Sequence, residues 1–243
     1  MPKIRLDSLL VARGLAENRS KAQAYIMAGD VSVNGSTVSK AGSMVAEDAA
    51  VILKEKMPFV GRGGFKLQHA LDEFGIGVKG LTCLDVGAST GGFTDCLLQR
   101  GAVKVYAVDV GTNQLDYRLR KDSRVVAMEK TNAHYPFDLP EKVDLAVMDL
   151  SFISVTRVIP NVIPHLNPPG DMVILFKPQF EAEKDNVGKG GVISDPAVHA
   201  LTISNFVLWM NDNSLRLLNL AASPILGAEG NREFLMYIRQ ALV

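Results

Sequence analysis

Cysteine is scarce in this chain, and its scarcity removes several chemistries. Cys83 and Cys96 offer neither a disulfide framework nor the paired spacing of a metal site, and both fit best as small buried residues. The four histidines, at 69, 134, 165 and 199, are scattered without ligand spacing, so no metal is expected. An excess of one charge is missing too: 26 Lys and Arg balance 26 Asp and Glu, so bulk charge announces no polyanionic partner. Long hydrophobic runs are also lacking. The densest, Met172-Val173-Ile174-Leu175-Phe176, is of strand length, and nothing approaches the roughly 18–20 apolar residues of a membrane span. The first residues lack the apolar core of a signal peptide. These absences leave the expectation of a soluble cytoplasmic protein.

What is present starts with apolar content. At 47% of 243 residues it supports a sizeable core, in one large α/β domain or a medium domain plus a small one. The chain is organised around Leu84-Asp85-Val86-Gly87-Ala88-Ser89-Thr90-Gly91-Gly92-Phe93-Thr94. This stretch reads as the end of a buried strand, a tight glycine turn and the start of a helix, with Gly91 and Gly92 allowing close approach of a ligand or a neighbouring backbone. Lys104-Val105-Tyr106-Ala107-Val108-Asp109 then reads as a second buried strand ending in a carboxylate. A strand, glycine loop, helix, strand and acid of this length form a nucleoside-binding half of a doubly wound sheet, with the acid placed for ribose hydroxyls. The dinucleotide pattern G-x-G-x-x-G fails, because position 89 is serine. The spacing Asp85-x-Gly87-x-Ser89-x-Gly91 instead resembles motif I of S-adenosylmethionine (SAM) methyltransferases.

The first 60 residues read as a compact module. Leu6, Leu9 and Leu10 recur at helical spacing within 3–14, Asn18-Arg19-Ser20 can cap a second helix through Met27, and Asn34-Gly35 is a hairpin turn between short strands. Residues 1–46 carry six Lys or Arg (3, 5, 13, 19, 21, 40) against three acids (7, 17, 30). Arg5, Arg19 and Lys21 lie near helix starts, where side chains and backbone N–H groups together can meet phosphates. Arg5-Leu6-Asp7, Asn18 to Ala22 and Ala28 to Gly35 resemble the RNA-binding domain first described in ribosomal protein S-four.

Residues 61–243 form the second expected domain. Gly61-Arg62-Gly63-Gly64 reads as a flexible, basic joint, followed by a helix whose stripe is Leu67, Ala70, Leu71 and Phe74. Lys66 lies off that stripe. Strands are expected near 82–86, 104–109, 125–129, 143–149 and 171–177, with helices between them, most clearly 92–100 and 154–166. A helix near 196–210 and strands near 215–221 and 233–238 complete the α/β, Rossmann-like seven-stranded sheet of a methyltransferase. Ligands of such sheets bind at the carboxyl ends of the strands, which selects Asp85, Asp109, Asn132, Asp149 and Lys177 for one rim.

Asp149 and Lys177 each follow an apolar run directly, and a charge there must be solvated, paired or functional. After Asp149 comes Leu150-Ser151-Phe152, without the Pro-Pro of enzymes that methylate base amines. Neither cysteine is placed to act as the nucleophile that carbon-5 methylation of pyrimidines needs. Oxygen remains, particularly a ribose 2′-hydroxyl, which needs a positioned base. Lys177 can accept that proton if partial burial and a second cation, Lys66, favour its neutral form, with Asp149 and Glu233 orienting the lysines.

This Lys-Asp-Lys-Glu set resembles the tetrad of heat-shock-type (RrmJ/FtsJ) ribose 2′-O-methyltransferases. With Gly61 to Lys66, Asp149 to Ser154, Lys177-Pro178-Gln179-Phe180-Glu181, Gly230-Asn231-Arg232-Glu233-Phe234 and the N-terminal module, the chain resembles the TlyA family, known both as hemolysins and as rRNA (cytidine-2′-O)-methyltransferases. The likeness implies a catalytic tetrad of Lys66, Asp149, Lys177 and Glu233. It implies a SAM site lined by Asp85, Gly87, Ser89, Gly91 and Asp109, with Asn132 near the adenine. It also implies rRNA or ribosomal subunits as partner, and cytidine as the nucleotide. Gly188-Lys189-Gly190-Gly191 lacks the phosphate-loop pattern and reads as a mobile basic substrate loop, so Arg62 and Lys189 join Arg5, Arg19 and Lys21 as expected RNA contacts. Two other readings stand beside this one: a membrane-active hemolysin, and an RNA-binding protein that holds SAM without transferring its methyl group.

Overall fold

The computed structural model describes residues 2–54 and 57–240, which divide into two compact units, Met1–Pro58 and Phe59–Val243. In the N-terminal unit β1 (Lys3–Arg5) leads directly into α1 (Leu6–Ala12), followed by α2 (Arg19–Met27), β2 (Val31–Val33), β3 (Ser36–Thr37), β4 (Met44–Ala46) and β5 (Val51–Leu53). Asn18 caps α2 by accepting from the Lys21 N–H at 2.9 Å. The helices bury Leu6, Leu10, Ala22 and Ile26 against Val31. The helix expected over 3–14 begins only at Leu6. Lys3–Arg5 are extended because they pair with Met44–Ala46, a three-residue strand too short to show a period in the sequence.

The second unit opens with α3 (Gly63–Glu73), then β6 (Thr82–Val86), α4 (Gly92–Gln99), β7 (Lys104–Val108), α5 (Tyr117–Lys121), β8 (Val125–Met128) and β9 (Val143–Met148). After α6 (Ile159–Val162) come β10 (Leu166–Phe176), α7 (Pro178–Glu181), α8 (Pro196–Asp212), β11 (Leu215–Ala222) and β12 (Phe234–Gln240). The seven strands lie in the order β11-β12-β10-β9-β6-β7-β8. Five are mutually parallel, and β12 and β11 close one edge antiparallel. Alternate residues feed two cores. Cys83, Val105, Leu145, Val173 and Leu175 face Leu67, Leu71, Phe93 and Leu97 of α3 and α4. Leu84, Tyr106, Met148, Met172 and Ile174 face Ile159, Phe206 and Met210 of α6 and α8. Each such fully buried large side chain contributes about 1.5–3 kcal/mol. Both cysteines are buried among these residues, and burial pushes both thiols up to about 12.

Two expectations change. The helix expected over 154–166 is broken into a 3₁₀ turn at 155–157, the single turn of α6 and a second 3₁₀ turn at 163–165, because Pro160 and Pro164 lack the N–H that a continuous helix would use. The supposed flexible joint is not one: Gly63 and Gly64 are the first residues of α3, and Gly64 is buried. From β6 the chain winds one way to β7 and β8 and the other way to β9 and β10, so β6 and β9 flank a topological switch point.

Candidate active site

Gly87 sits at that switch point with φ +84, and a Cβ there would lie 2.5 Å from the Asp149 carbonyl oxygen. Its N–H and that of Ala88 donate to the Val108 carbonyl, which ties the turn to β7. Ser89 holds φ +49, and its N–H donates to Asp109 Oδ2 at 2.8 Å, while the Gly111 N–H donates to Oδ1 at 2.7 Å. One carboxylate therefore fixes both loops that border the cleft. The cleft has a volume of about 330 Å³, inside the usual small-molecule range of about 300–1,000 Å³. Gly87, Ser89, Asp109 and Asn132 give its polar lining, and Val110, Leu150, Ile153 and Val158 its apolar walls. Asn132 turns its carbonyl oxygen to the His134 N–H at 3.0 Å, holding the loop after β8.

A second hollow of about 230 Å³ shares Gly87, Ser89 and Asp149 with the first and adds Arg62, Lys66 and Phe93. Lys66 is buried, not solvated as a lone first-turn lysine usually is, and its Nζ donates to Glu233 Oε2. Lys177 is equally buried; its Nζ lies 2.7 Å from Asp149 Oδ1 and donates to Ser151 Oγ at 3.0 Å. The four residues singled out as a tetrad thus form two ion pairs, each lysine held by its own carboxylate. Among the described residues no cluster of three or more potential metal ligands occurs.

Two residues expected at the cofactor do not line the cleft. Gly91 caps α4 with φ +96, and a Cβ there would strike Leu119 Cδ1 at 2.3 Å, so its glycine serves packing on α5. Asp85 lies inside β6, fully buried beneath the turn, and accepts from Thr94 Oγ1 at 2.6 Å. Burial, reinforced by the charges of Asp149 and Asp109 and opposed by the Thr94 bonds, pushes its carboxyl up to about 7. The folded chain therefore holds this proton more tightly than the unfolded chain, where the value is about 3.9. Asp85's contribution to stability is complete below the unfolded value and is lost as pH rises through about 7. Each pH unit between the two values removes up to about 1.4 kcal/mol. Asp85→Asn should abolish that slope, so urea unfolding at pH 5 and pH 7.5 should differ less in the variant than in the wild type. An identical pH dependence would show that Asp85 is not titrating.

Sequence reasoning missed the residues that set these groups in place. Glu181 accepts from Ser154 Oγ at 2.6 Å and from the Val155 N–H at 2.9 Å, bracing the loop after β9 against the helix after β10. Burial raises its carboxyl above the ordinary range. Asn231 donates to the Gly191 carbonyl at 2.9 Å and accepts from the Ile193 N–H at 3.1 Å, so the loop read as mobile is pinned two residues from Glu233. A Cβ on Gly227 would meet Glu233 Oε1 at 2.1 Å. Phe152 is 91% exposed at the cleft with φ +65, a strained backbone for an aromatic residue, and leans on Phe180 with ring centroids 5.2 Å apart. Its aromatic type at a strand end was the available signal. Arg62 and Lys189 are exposed in this unit, as Arg5, Arg19 and Lys21 are in the other.

Comparison with known proteins agrees with the fold. Residues 59–240 match the FtsJ-like methyltransferase family, and residues 4–51 match the S4 domain. The 16S/23S rRNA (cytidine-2′-O)-methyltransferase TlyA of Mycobacterium tuberculosis is 42% identical over 241 residues, covering 98% of this chain and 90% of that protein. The chain belongs to the TlyA family of FtsJ-like methyltransferases. Another relative, Hemolysin A of Brachyspira hyodysenteriae, is 43% identical over 96% of this chain and 99% of its own length. A solved structure from Streptococcus thermophilus, named provisionally as a hemolysin, superposes with a TM-score of 0.75 at 40% identity, covering 99% of this chain and 90% of that one. This TlyA-family chain pairs an S4 domain with an FtsJ-like methyltransferase domain. Among its described residues no helix is long and apolar enough to cross a membrane.

Proposed function

We propose that this TlyA-family chain transfers a methyl group from SAM to a ribose 2′-hydroxyl of ribosomal RNA, with cytidine as the nucleotide. The observation that carries the reading is the pair of buried lysines, each fixed by a carboxylate: Asp149, which holds Lys177, lines both the glycine-turn cleft and the hollow that Lys66 lines. The cleft fits the cofactor: Asp109 sits where ribose hydroxyls can be bonded, and Val110, Leu150, Ile153 and Val158 give the apolar walls an adenine needs. When bound there, SAM supplies an electrophilic methyl group on a sulfonium. Lys177 is the group placed to accept the hydroxyl proton, at its Nζ. Asp149 and Ser151 hold its nitrogen in place. Lys66, oriented by Glu233, adds a second cation that favours the oxygen's developing negative charge. Holding the oxygen in line with the methyl group supplies much of the remaining rate.

The RNA reading draws on the S4 domain and on the rRNA substrate of the Mycobacterium relative. The decisive assay is transfer of labelled methyl from SAM to undermethylated ribosomal subunits, followed by nuclease digestion. Label on a 2′-O-methylcytidine is the expected result; label on a base would sink the tetrad argument while leaving the cofactor cleft intact. Phe152, exposed beside the cleft, offers a stacking face for an unpaired base, an interaction of about 1–3 kcal/mol. Phe152→Ala should therefore lower kcat/KM for RNA by about five- to a hundredfold. SAM affinity, measured by calorimetry, should change much less, and an equal loss in both would assign Phe152 to the cofactor.

A further inference from the structure

Asp7 has no exposed surface, although it belongs to a small N-terminal unit in which solvent is never far away. Its Oδ1 accepts from Arg5 Nε at 3.1 Å, and its Oδ2 accepts from Arg5 Nη2 at 2.8 Å, a forked pair. The same Oδ2 accepts from Arg19 Nε at 3.1 Å and Gln23 Nε2 at 2.9 Å, and Ser8 Oγ lies 3.4 Å from Oδ1. The Arg5 guanidinium, with Gln23 and Arg19 beside it, holds this carboxyl well below the usual carboxylate range, so it stays ionised at neutral pH.

Two guanidiniums from different elements, β1 and α2, converge on one anion. Left alone they would repel each other and spread into solvent. Their side chains remain 43% and 57% exposed, so the cluster presents a net positive, half-open face whose buried centre is the acid. Gly42 packs against the Arg5 fork, where a Cβ would lie 3.2 Å from Nη1, and this limits the fork's freedom further. A planar guanidinium fixed through one edge keeps its other N–H groups aimed, which is how arginine recognises phosphate oxygens.

We propose that Asp7 is the positioning residue of an RNA-backbone clamp formed by Arg5 and Arg19. This rests on the reading that the N-terminal unit binds RNA, and it deepens that reading by giving the domain's buried acid a role in binding a polyanion. Simple electrostatics makes the opposite forecast. Neutralising an acid in an RNA-binding face should tighten binding by removing a repulsion, whereas neutralising a positioning acid should weaken it.

The test uses the full chain and unmodified ribosomal RNA transcribed in vitro, with affinity measured across a salt series for wild type, Asp7→Asn, Arg19→Lys and the double variant Arg5→Ala/Arg19→Ala. Asp7→Asn should bind at least about threefold more weakly, despite its added positive charge. Its slope of log affinity against log salt should also shrink, by about 0.7–0.9 for each phosphate that is no longer neutralised. Arg19→Lys keeps the charge but loses the planar guanidinium that Asp7 holds through Nε, and should fall most of the way to the double variant. It decides the matter if circular dichroism shows that Asp7→Asn is unfolded. Wild-type or tighter binding by folded Asp7→Asn, or by Arg19→Lys, overturns the positioning role while the RNA face survives in the weakened double variant. Unchanged binding by the double variant would overturn the RNA face itself, and the clamp with it.

Discussion

Lys177→Ala should reduce methyl transfer by about a hundred- to ten-thousand-fold, the range of a positioned acid–base group. The reason lies in what surrounds the nitrogen. Lys177 directly follows the last residue of β10, its stem is buried, and its Nζ is fixed between Asp149 Oδ1 and Ser151 Oγ. Truncation removes the proton acceptor, and no other amine lies on β9 or β10 to replace it. The cofactor cleft is lined by other residues, so SAM affinity should hold while kcat falls. Stability should fall little, by about 1 kcal/mol, because the partner left behind, Asp149, is still 24% exposed and can be solvated. Labelled transfer to undermethylated subunits, with calorimetry of SAM binding on the same variant, separates the two effects. Retention of more than a tenth of wild-type transfer would remove Lys177 from the chemistry.

The parts of this site that are legible in the sequence are those written locally. A strand ending in a charge is visible wherever an apolar run stops at Asp149 or Lys177, and the glycine turn with Asp109 beyond it is a contiguous pattern. The sheet is legible for the same reason, since each buried strand is an unbroken apolar run. Pairings between distant segments are not. That Lys66 belongs to Glu233, 167 residues away, or that Glu181 braces Ser154, follows from packing of β9, β10 and β12, which no local period reports. Resemblance groups Lys66 and Glu233 in one tetrad without saying which carboxylate holds which lysine; nothing in the residues themselves supplies Glu181, Asn231 or Gly227. That Asp85 and Gly91, both expected at the cofactor, do not line the cleft follows from the same limit. Both lie on the glycine motif, but one faces the core and the other α5, and the motif alone does not tell which way a residue faces.

Gly87→Ala should cost activity far more than stability. Two penalties meet at this position, and they can be separated. The first is backbone: an L residue in the left-handed region costs about 1–2 kcal/mol, and Gly87 has φ +84. The second is steric: the new Cβ would lie 2.5 Å from the Asp149 carbonyl oxygen and 3.1 Å from its carbon, and backbone cannot rotate away as a side chain can. Relief requires the turn after β6 and the end of β9 to part, and Asp149 carries the carboxylate that holds Lys177. A displacement near 1 Å at such a group costs about a hundredfold in rate. Gly75 supplies the control. It has φ +65 with nothing within 4 Å of a built Cβ, so Gly75→Ala carries the backbone penalty without the collision. Both variants should lose the backbone penalty in unfolding free energy, Gly87→Ala more by the cost of the collision, and transfer should survive in Gly75→Ala yet fall about a hundredfold or more in Gly87→Ala. Equal activities would mean that the cleft tolerates movement of Asp149, and that the Lys177 nitrogen does not depend on that carboxylate for its position.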